Sequence, residues 1–413
     1  MKNWGRFGAA AVLFAAVAAC LPESSMEAAG GPEHGEGGPY RVLAPIESGN
    51  LLLFPVVRAD AGSTGETPFI TLDEGLKSGE VEVTEAGRAR GLVRPRGPGS
   101  HDEVDRGDEV NTLVLVNHSK HPLLLLAGEI VTGGKQDRIV AKDRIVPADA
   151  DPVDLGVFCI EPGRWTESSA TFGAAGKSAT KSFMVQPGVR ERAMVDQDQQ
   201  QVWNSVNGAI SQMEVAAAPP VSPGRSAPGG SYHRSLGTSS YAKAMQDSGV
   251  SEKVDEAAAP VMNAREQVLA QLREEHAIGV VVAVRGEFIW ADLFANTDLL
   301  SRYWTKLVRS YAAESLTEGE DHPVSTVADA QHFLDAPSGG TENSEGEVGI
   351  YRYRELKSSH METFVLESLL PGTGYDVHLS KMKLRGEESQ VVKPRPAGQP
   401  MYRPDVFRPG VIE

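Results

Sequence analysis

Between Val110 and Arg164 short apolar runs alternate with turns rich in Gly, Pro, Asn and Asp: VNTLVLV, NHSKHP, LLLLAGE, IVTGGKQDRIV, AKDRIVPADADP, VDLGVFCIEPGR. Runs this short favour pleated strands over helices, and the Val and Ile content points the same way. Turn signals at this spacing fold each strand back on its neighbour. The segment therefore predicts antiparallel sheet, as a β-sandwich or a curled sheet. Upstream, NLLLFPVV (Asn50 to Val57) is a short buried run. Thr71-Leu72-Asp73-Glu74 reads as the start of a helix of one or two turns, before an alternating strand from Glu80 to Glu85.

From about Val189 the period changes. Val195, Gln199, Val202, Val206 and Ile210 recur near one helical face, and a second helix is predicted from Glu252 to Glu275. AIGVVVAVRGEFIWADLF reads as two strands hinged at Arg285-Gly286-Glu287. Asn296-Thr297-Asp298 then supplies N-cap chemistry for a helix whose apolar stripe is Leu299, Leu300, Tyr303, Trp304, Leu307, Val308 and Tyr311. A shorter helix from Val327 to Leu334 leads back to strands in VGIYRYREL, METFVLES and YDVHLSKMKL. The predicted class is α+β: an antiparallel sandwich or curled sheet with a helical section and further β-hairpins. The folded body spans residues 42–384, interrupted by a low-complexity insertion at about 216–240. Residues 385–413 lack periodicity and read as a disordered tail.

The first 19 residues carry Lys2 and Arg6, then an apolar stretch from Ala9 to Ala19 that is too short to span a bilayer. They read as a secretory signal. Its end, Val17-Ala18-Ala19-Cys20, resembles the bacterial lipobox, in which the cysteine is acylated and becomes the first mature residue. The simpler alternative is an ordinary small-residue cleavage site. Acylated Cys20 would make a membrane surface the protein's first partner, with residues 20–41 as a flexible Gly-rich tether. The expected location is the bacterial cell envelope, on the outer membrane or the periplasmic face of the inner membrane. Leu21, rather than an acidic residue, follows the cysteine and favours the outer membrane. Cys159 reads as a small buried hydrophobe.

A formal net charge of −16 argues against nucleic acid as a partner, since a phosphate backbone would be repelled. A local basic pocket for a small anion is compatible with that charge. LLLLAGE ends a buried strand at Glu129, and Gly133 and Gly134 let the following backbone turn sharply. Lys135, Gln136 and Arg138 follow, so this turn could cradle a phosphate or carboxylate. CIEPGRW gathers Glu161, Arg164 and Trp165 about a Pro-Gly turn; Arg grips oxyanions bidentately and Trp can stack on a base or sugar. Asp292 sits among apolar neighbours in WADLF. A structural reading competes with each. Glu129 and Arg138 could pair across a hairpin, Glu161 and Arg164 within their turn, and Asp292 could anchor a buried hydrogen bond. His118 and His121 bracket a proline turn, and the acids of HDEVDRGDE lack a calcium-loop pattern. No metal, cofactor or covalent nucleophile is expected, and no hydrolase, P-loop or zinc-protease motif is found.

LLLFPVV, ITLDEGLKSGEVEVTE, VNHSKHPLLLLAGEIVTGGKQDRIV, VPADADPVDLGVFCIEPGRW, MVDQDQQQVWNSV, VVVAVRGEFIWADLF and WTKLVRSYA together resemble the ARPP family, the ARG and rhodanese-phosphatase-superfamily-associated protein domain. The resemblance covers about residues 50–384, and its most specific blocks are GE…GGKQDR and EPGRW. It implies a tie to ADP-ribose or phosphate chemistry by association with other proteins, and no reaction of its own. Two functions follow. The first is a lipid-anchored module that binds a small anionic ligand or a protein partner. The second is a hydrolase or transferase for a phosphorylated or ADP-ribose-like substrate, with Glu129 or Glu161 as general base and Lys135, Arg138 and Arg164 neutralising charge.

Overall fold

The computed structural model describes residues 38–58, 67–86, 112–164, 167–176, 178, 181–218, 235–317, 323, 325–371 and 376–384. β1 (Tyr40–Val42) and β2 (Ile46–Ser48) lie end to end along β3 (Leu51–Arg58). After β4 (Ile70–Thr71), Thr71 caps α1 (Leu72–Ser78): its hydroxyl accepts from the Glu74 N–H, and the Glu74 carboxylate accepts from the Thr71 N–H. β5 (Val81–Glu85) follows. The strand-rich segment becomes β6 (Thr112–Asn117), β7 (Leu123–Leu125), β8 (Ile130–Gly133), β9 (Arg138–Val140), β10 (Arg144–Val146), β11 (Val153–Cys159) and β12 (Phe172–Ala174).

The helical section starts with α2 (Pro187–Glu191), which widens into one π-type turn over Arg192–Asp196. Gln197 then takes a left-handed conformation, φ 50°, and Asp198 caps α3 (Gln199–Ala216). The expected helical face is therefore split. Val195 falls before the break, and the α3 core face is Val202, Val206, Ala209, Ile210 and Met213. Gln199 instead pairs through its amide with both backbone groups of Cys159 at 2.9 Å, extending the edge of β11. Next come α4 (Tyr241–Gln246), α5 (Ser248–Asn263) and α6 (Arg265–Glu274). The single helix expected from Glu252 to Glu275 is two, divided at Ala264. Pro260 lies inside α5, which runs on through it to Asn263 before the break.

β13 (Ala277–Val284) and β14 (Glu287–Phe294) form the expected hairpin, with Arg285 and Gly286 at φ 53° and 79°. Positive φ at both turn positions matches the twist of the flanking strands. α7 (Thr297–Ser315) follows under an Asn296 cap, then α8 (Val327–Asp335), β15 (Thr341–Glu347), β16 (Tyr351–Lys357), β17 (Met361–Ser368) and β18 (Asp376–Lys383).

These strands make a nine-stranded sheet in the order β1-β3-β13-β14-β18-β17-β16-β15, with β2 also on β3, antiparallel throughout. Its centre is buried on both faces. Leu53, Val280 and Val282 join the core beneath α5 and α7, whereas Phe54, Val281 and Ala283 join a second core with Ala330 and Leu334 of α8. That double burial is why AIGVVVAV is apolar without alternation. A six-stranded sheet, β12-β8-β9-β11-β6-β5, curls until Thr84 bridges Thr171, and so nearly closes on itself around Val83, Leu115, Val131, Val157 and Phe172. A three-stranded sheet, β10-β7-β4, completes the set. Among the described residues no helix is long and apolar enough to cross a membrane.

Candidate functional site

The two polar turns meet. β8 ends at Gly133, where positive φ at Gly133 and Gly134 (141° and 51°) reverses the chain toward β9. β11, which pairs with β9, ends at Cys159 and delivers Glu161 and Arg164 beside that reversal. The Arg164 guanidinium pairs with Glu161. It also donates to the Gly134 carbonyl at 3.0 Å and reaches the Gly133 carbonyl and Asp137 at 3.4 Å. Arg164 thus fastens one turn to the other. Asp137 accepts from the Gly133 N–H at 3.1 Å and the Ser240 hydroxyl at 2.8 Å. Burial, and then the charge of Glu161, push the Asp137 carboxyl above its ordinary value, while Ser240 opposes the shift. Lys243 of α4 donates to the second Glu161 oxygen at 2.9 Å from a position 59% exposed, whereas Glu161 itself is 3% exposed.

Arg138 is fully buried, donates to the Gln136 carbonyl at 2.6 Å and lies 3.9 Å from Glu85. Glu85 also accepts from the Lys135 N–H at 3.0 Å. The Lys135 side chain is half-buried. The Gln136 side chain is buried, and neither its amide nitrogen nor its amide oxygen has a hydrogen-bond partner. A buried amide left this way is an unmet demand for both a donor and an acceptor.

Seven of the predicted residues thus gather at one place: Gly133, Gly134, Lys135, Gln136, Arg138, Glu161 and Arg164. Glu129 and Asp292 do not join them. Glu129 is fully buried and pairs with Lys306 of α7 at 2.6 Å; Lys306 also donates to Asp73 at 2.8 Å. Burial works against the Lys306 charge, but Glu129 and then Asp73 outweigh it and hold its pKa above the ordinary value. Asp292 accepts two bonds from Arg190 at 2.9 Å, one from Ser380 at 2.9 Å and one from the Tyr311 hydroxyl. His378 lies between Asp143, 2.6 Å from Nδ1, and Asp292, 3.2 Å from Nε2. Burial opposes the Asp292 charge, yet Arg190 and His378 hold this carboxyl well below its usual range.

The Leu126–Glu129 turn joins these two networks. The Leu126 N–H donates to Glu129 and the Ala127 N–H to Asp143, at 2.8 and 2.7 Å. Gly128 sits against the Arg190 side chain. The site set predicted from the sequence does not include Asp137, Lys243, Lys306, Arg190 or His378. One signal was available: Lys306 is a charge inside the apolar stripe between Tyr303, Trp304, Leu307 and Val308. Cys159 is buried and its thiol is pushed up to about 11 by that burial, so it carries no thiolate for chemistry at neutral pH. Cys20, Trp165, residues 219–234 of the insertion expected at about 216–240, and the tail at 385–413 lie outside the described residues.

Among the described residues no group of three or more His, Cys, Asp or Glu is arranged to hold a metal ion. No curated protein and no solved structure matches the chain. A family model, the ARG and Rhodanese-Phosphatase-superfamily-associated Protein domain, matches residues 39–382. With most of its length inside that match, the chain belongs to the ARG and Rhodanese-Phosphatase-superfamily-associated Protein domain family.

Proposed function

We propose that this family member is an exported, lipid-anchored binding protein whose folded body takes a small anionic ligand over the Gly133–Arg138 and Glu161–Arg164 turns. One observation carries the reading: the carboxylates there are buried and paired, while the cations Lys135 and Lys243 stand at the rim. An anion meets positive charge first at the Lys135 and Lys243 side chains.

The same burial argues for binding over catalysis. A general base must reach the proton it removes, but both Glu161 oxygens are engaged and Glu129 is fully buried. Asp292 then acts as an internal anchor rather than as a ligand contact. Export and anchoring rest on the basic start, the short apolar stretch and Cys20 in its lipobox-like setting. A phosphate-bearing ligand of ADP-ribose type fits the charge pattern, and its affinity should weaken with salt.

Thermal-shift measurements with phosphate, pyrophosphate and ADP-ribose test the reading. At least one should raise the Tm of the full chain, and the Lys135→Ala/Lys243→Ala double variant should stay folded without ligand but lose that rise. No rise with any of the three, or a rise that the double variant keeps, overturns it.

A further inference from the structure

We propose that the groove lined by α5 and by Gly176, Ser178, Lys181 and Phe183 is a second binding site, and that it takes a neutral, polyhydroxylated ligand of saccharide type. The groove has a cavity volume of about 810 Å³, within the roughly 300–1,000 Å³ of small-molecule sites. α5 divides cleanly. Val250, Val254, Ala258 and Val261 enter the core, while Ser248, Ser251, Glu252, Asp255, Ala259 and Asn263 face the groove. The polar set recurs every three or four residues, so one stripe of the helix lines the whole wall. Arg309 of α7, 3% exposed, forms part of the floor with Phe183 and Met245.

Charge and hydrogen bonding select the ligand class. The two cations of the groove are both committed to one carboxylate. Asp255 accepts from Arg309 on one oxygen and from Lys181, at 2.6 Å, on the other. Glu252 and Glu256 add negative charge to the same wall. A phosphate or carboxylate ligand would have to displace Asp255 and face those two acids. A hydroxyl group meets no such opposition, because it can donate to a carboxylate and accept from a guanidinium at once. The Arg309 Nε–H is buried and has no acceptor. Gln246, Asn263 and the serine hydroxyls provide further donors and acceptors, and Phe183 and Met245 provide a small apolar surface for a sugar ring.

This site is separate from the anion site over the turns, although α4 touches both: Lys243 pairs with Glu161, and Met245 and Gln246 line the groove. Saturation-transfer NMR on the full chain, with maltotriose, cellotriose and chitotriose each at about 5 mM, suits the weak, roughly millimolar affinities expected of small sugars. At least one should receive saturation, and Ser251→Trp, which fills the groove from the outer face of α5, should weaken binding at least tenfold. Asn263→Trp serves as the second blocking variant should Ser251→Trp fail to fold. No transfer to any of the three sugars, transfer that survives a folded blocking variant, or competition by pyrophosphate overturns the proposal. The pyrophosphate response assigned to the turns should persist in Ser251→Trp, so the two failures are distinguishable.

Discussion

His378 is fully enclosed: Asp143 and Asp292 lie on its two nitrogens, Arg190 and Tyr311 on Asp292, and the Phe294 ring is 4.6 Å away. Burial alone would favour neutral imidazole, but Asp143 and then Asp292 raise its pKa. Protonated, it and the Arg190 guanidinium together balance the two carboxylates Asp143 and Asp292. Because the folded pKa lies above the usual imidazole value of about 6.5, its contribution to stability is complete below that pH and is lost as pH rises through the folded pKa. Urea unfolding between pH 6.5 and 8 should therefore show stability falling in the wild type by more than in His378→Gln. Equal slopes would remove the charge from His378. The window stops there because Lys381, pushed down to about 8 by burial, acts with the opposite sign above it. Glu362, raised to about 7 chiefly by burial, adds its own loss and is common to both proteins. Lys306 gives a larger effect. Lys306→Met leaves Glu129 buried without a counter-charge and should cost about 3–5 kcal/mol, a loss that Glu129→Gln in the same chain should partly restore. Gly128 has φ 86°, and an added Cβ would lie 3.0 Å from the Arg190 side chain. Gly128→Ala should thus cost roughly 2 kcal/mol or more, read by urea unfolding.

α7 holds the molecule's charges in order. Arg302, Lys306 and Arg309 fall on one face, and each meets a carboxylate from elsewhere: Glu74, then Asp73 and Glu129, then Asp255. Its Asn296 cap accepts from the Leu299 N–H at 3.1 Å, and Asn296→Ala should cost about 1 kcal/mol in the same unfolding measurement. The helix itself was readable in the sequence, because its apolar stripe and its cap agree. So were the α1 capping box and the β13–β14 hairpin, where local chemistry decides local form. β15 was not readable. TENSEGE has no apolar alternation and is almost wholly exposed, so only its pairing with β16 makes it a strand. Nor was the Thr84–Thr171 bridge readable, since closure joins residues that share no local signal. Within the candidate site, the turn residues were legible from their glycines and charges. Their partners Lys243, Ser240 and Lys306 were not, because each arrives on a helix distant in sequence.

At the scale of the whole molecule, the curled six-stranded sheet supplies the turns, and the helical section supplies what closes over them. Asp137 and Glu161 stand on the first, Ser240 and Lys243 on the second. Buried carboxylates are thus paired where the two meet, and in the proposed reading Lys135 and Lys243 at the rim meet the ligand. The proposed anchoring belongs to this scale too: if Cys20 carries the lipid, Cys20→Ala should move the protein from the membrane fraction to the soluble fraction, and retention on membranes would remove the lipid from the account. The central claim is that both turns together hold an anion. Calorimetric titration of the full chain with pyrophosphate, at low and at physiological salt, tests it most directly. Saturable binding that weakens with salt and disappears in Lys135→Ala/Lys243→Ala is the predicted result; absence of heat, or equal binding by the double variant, would contradict it.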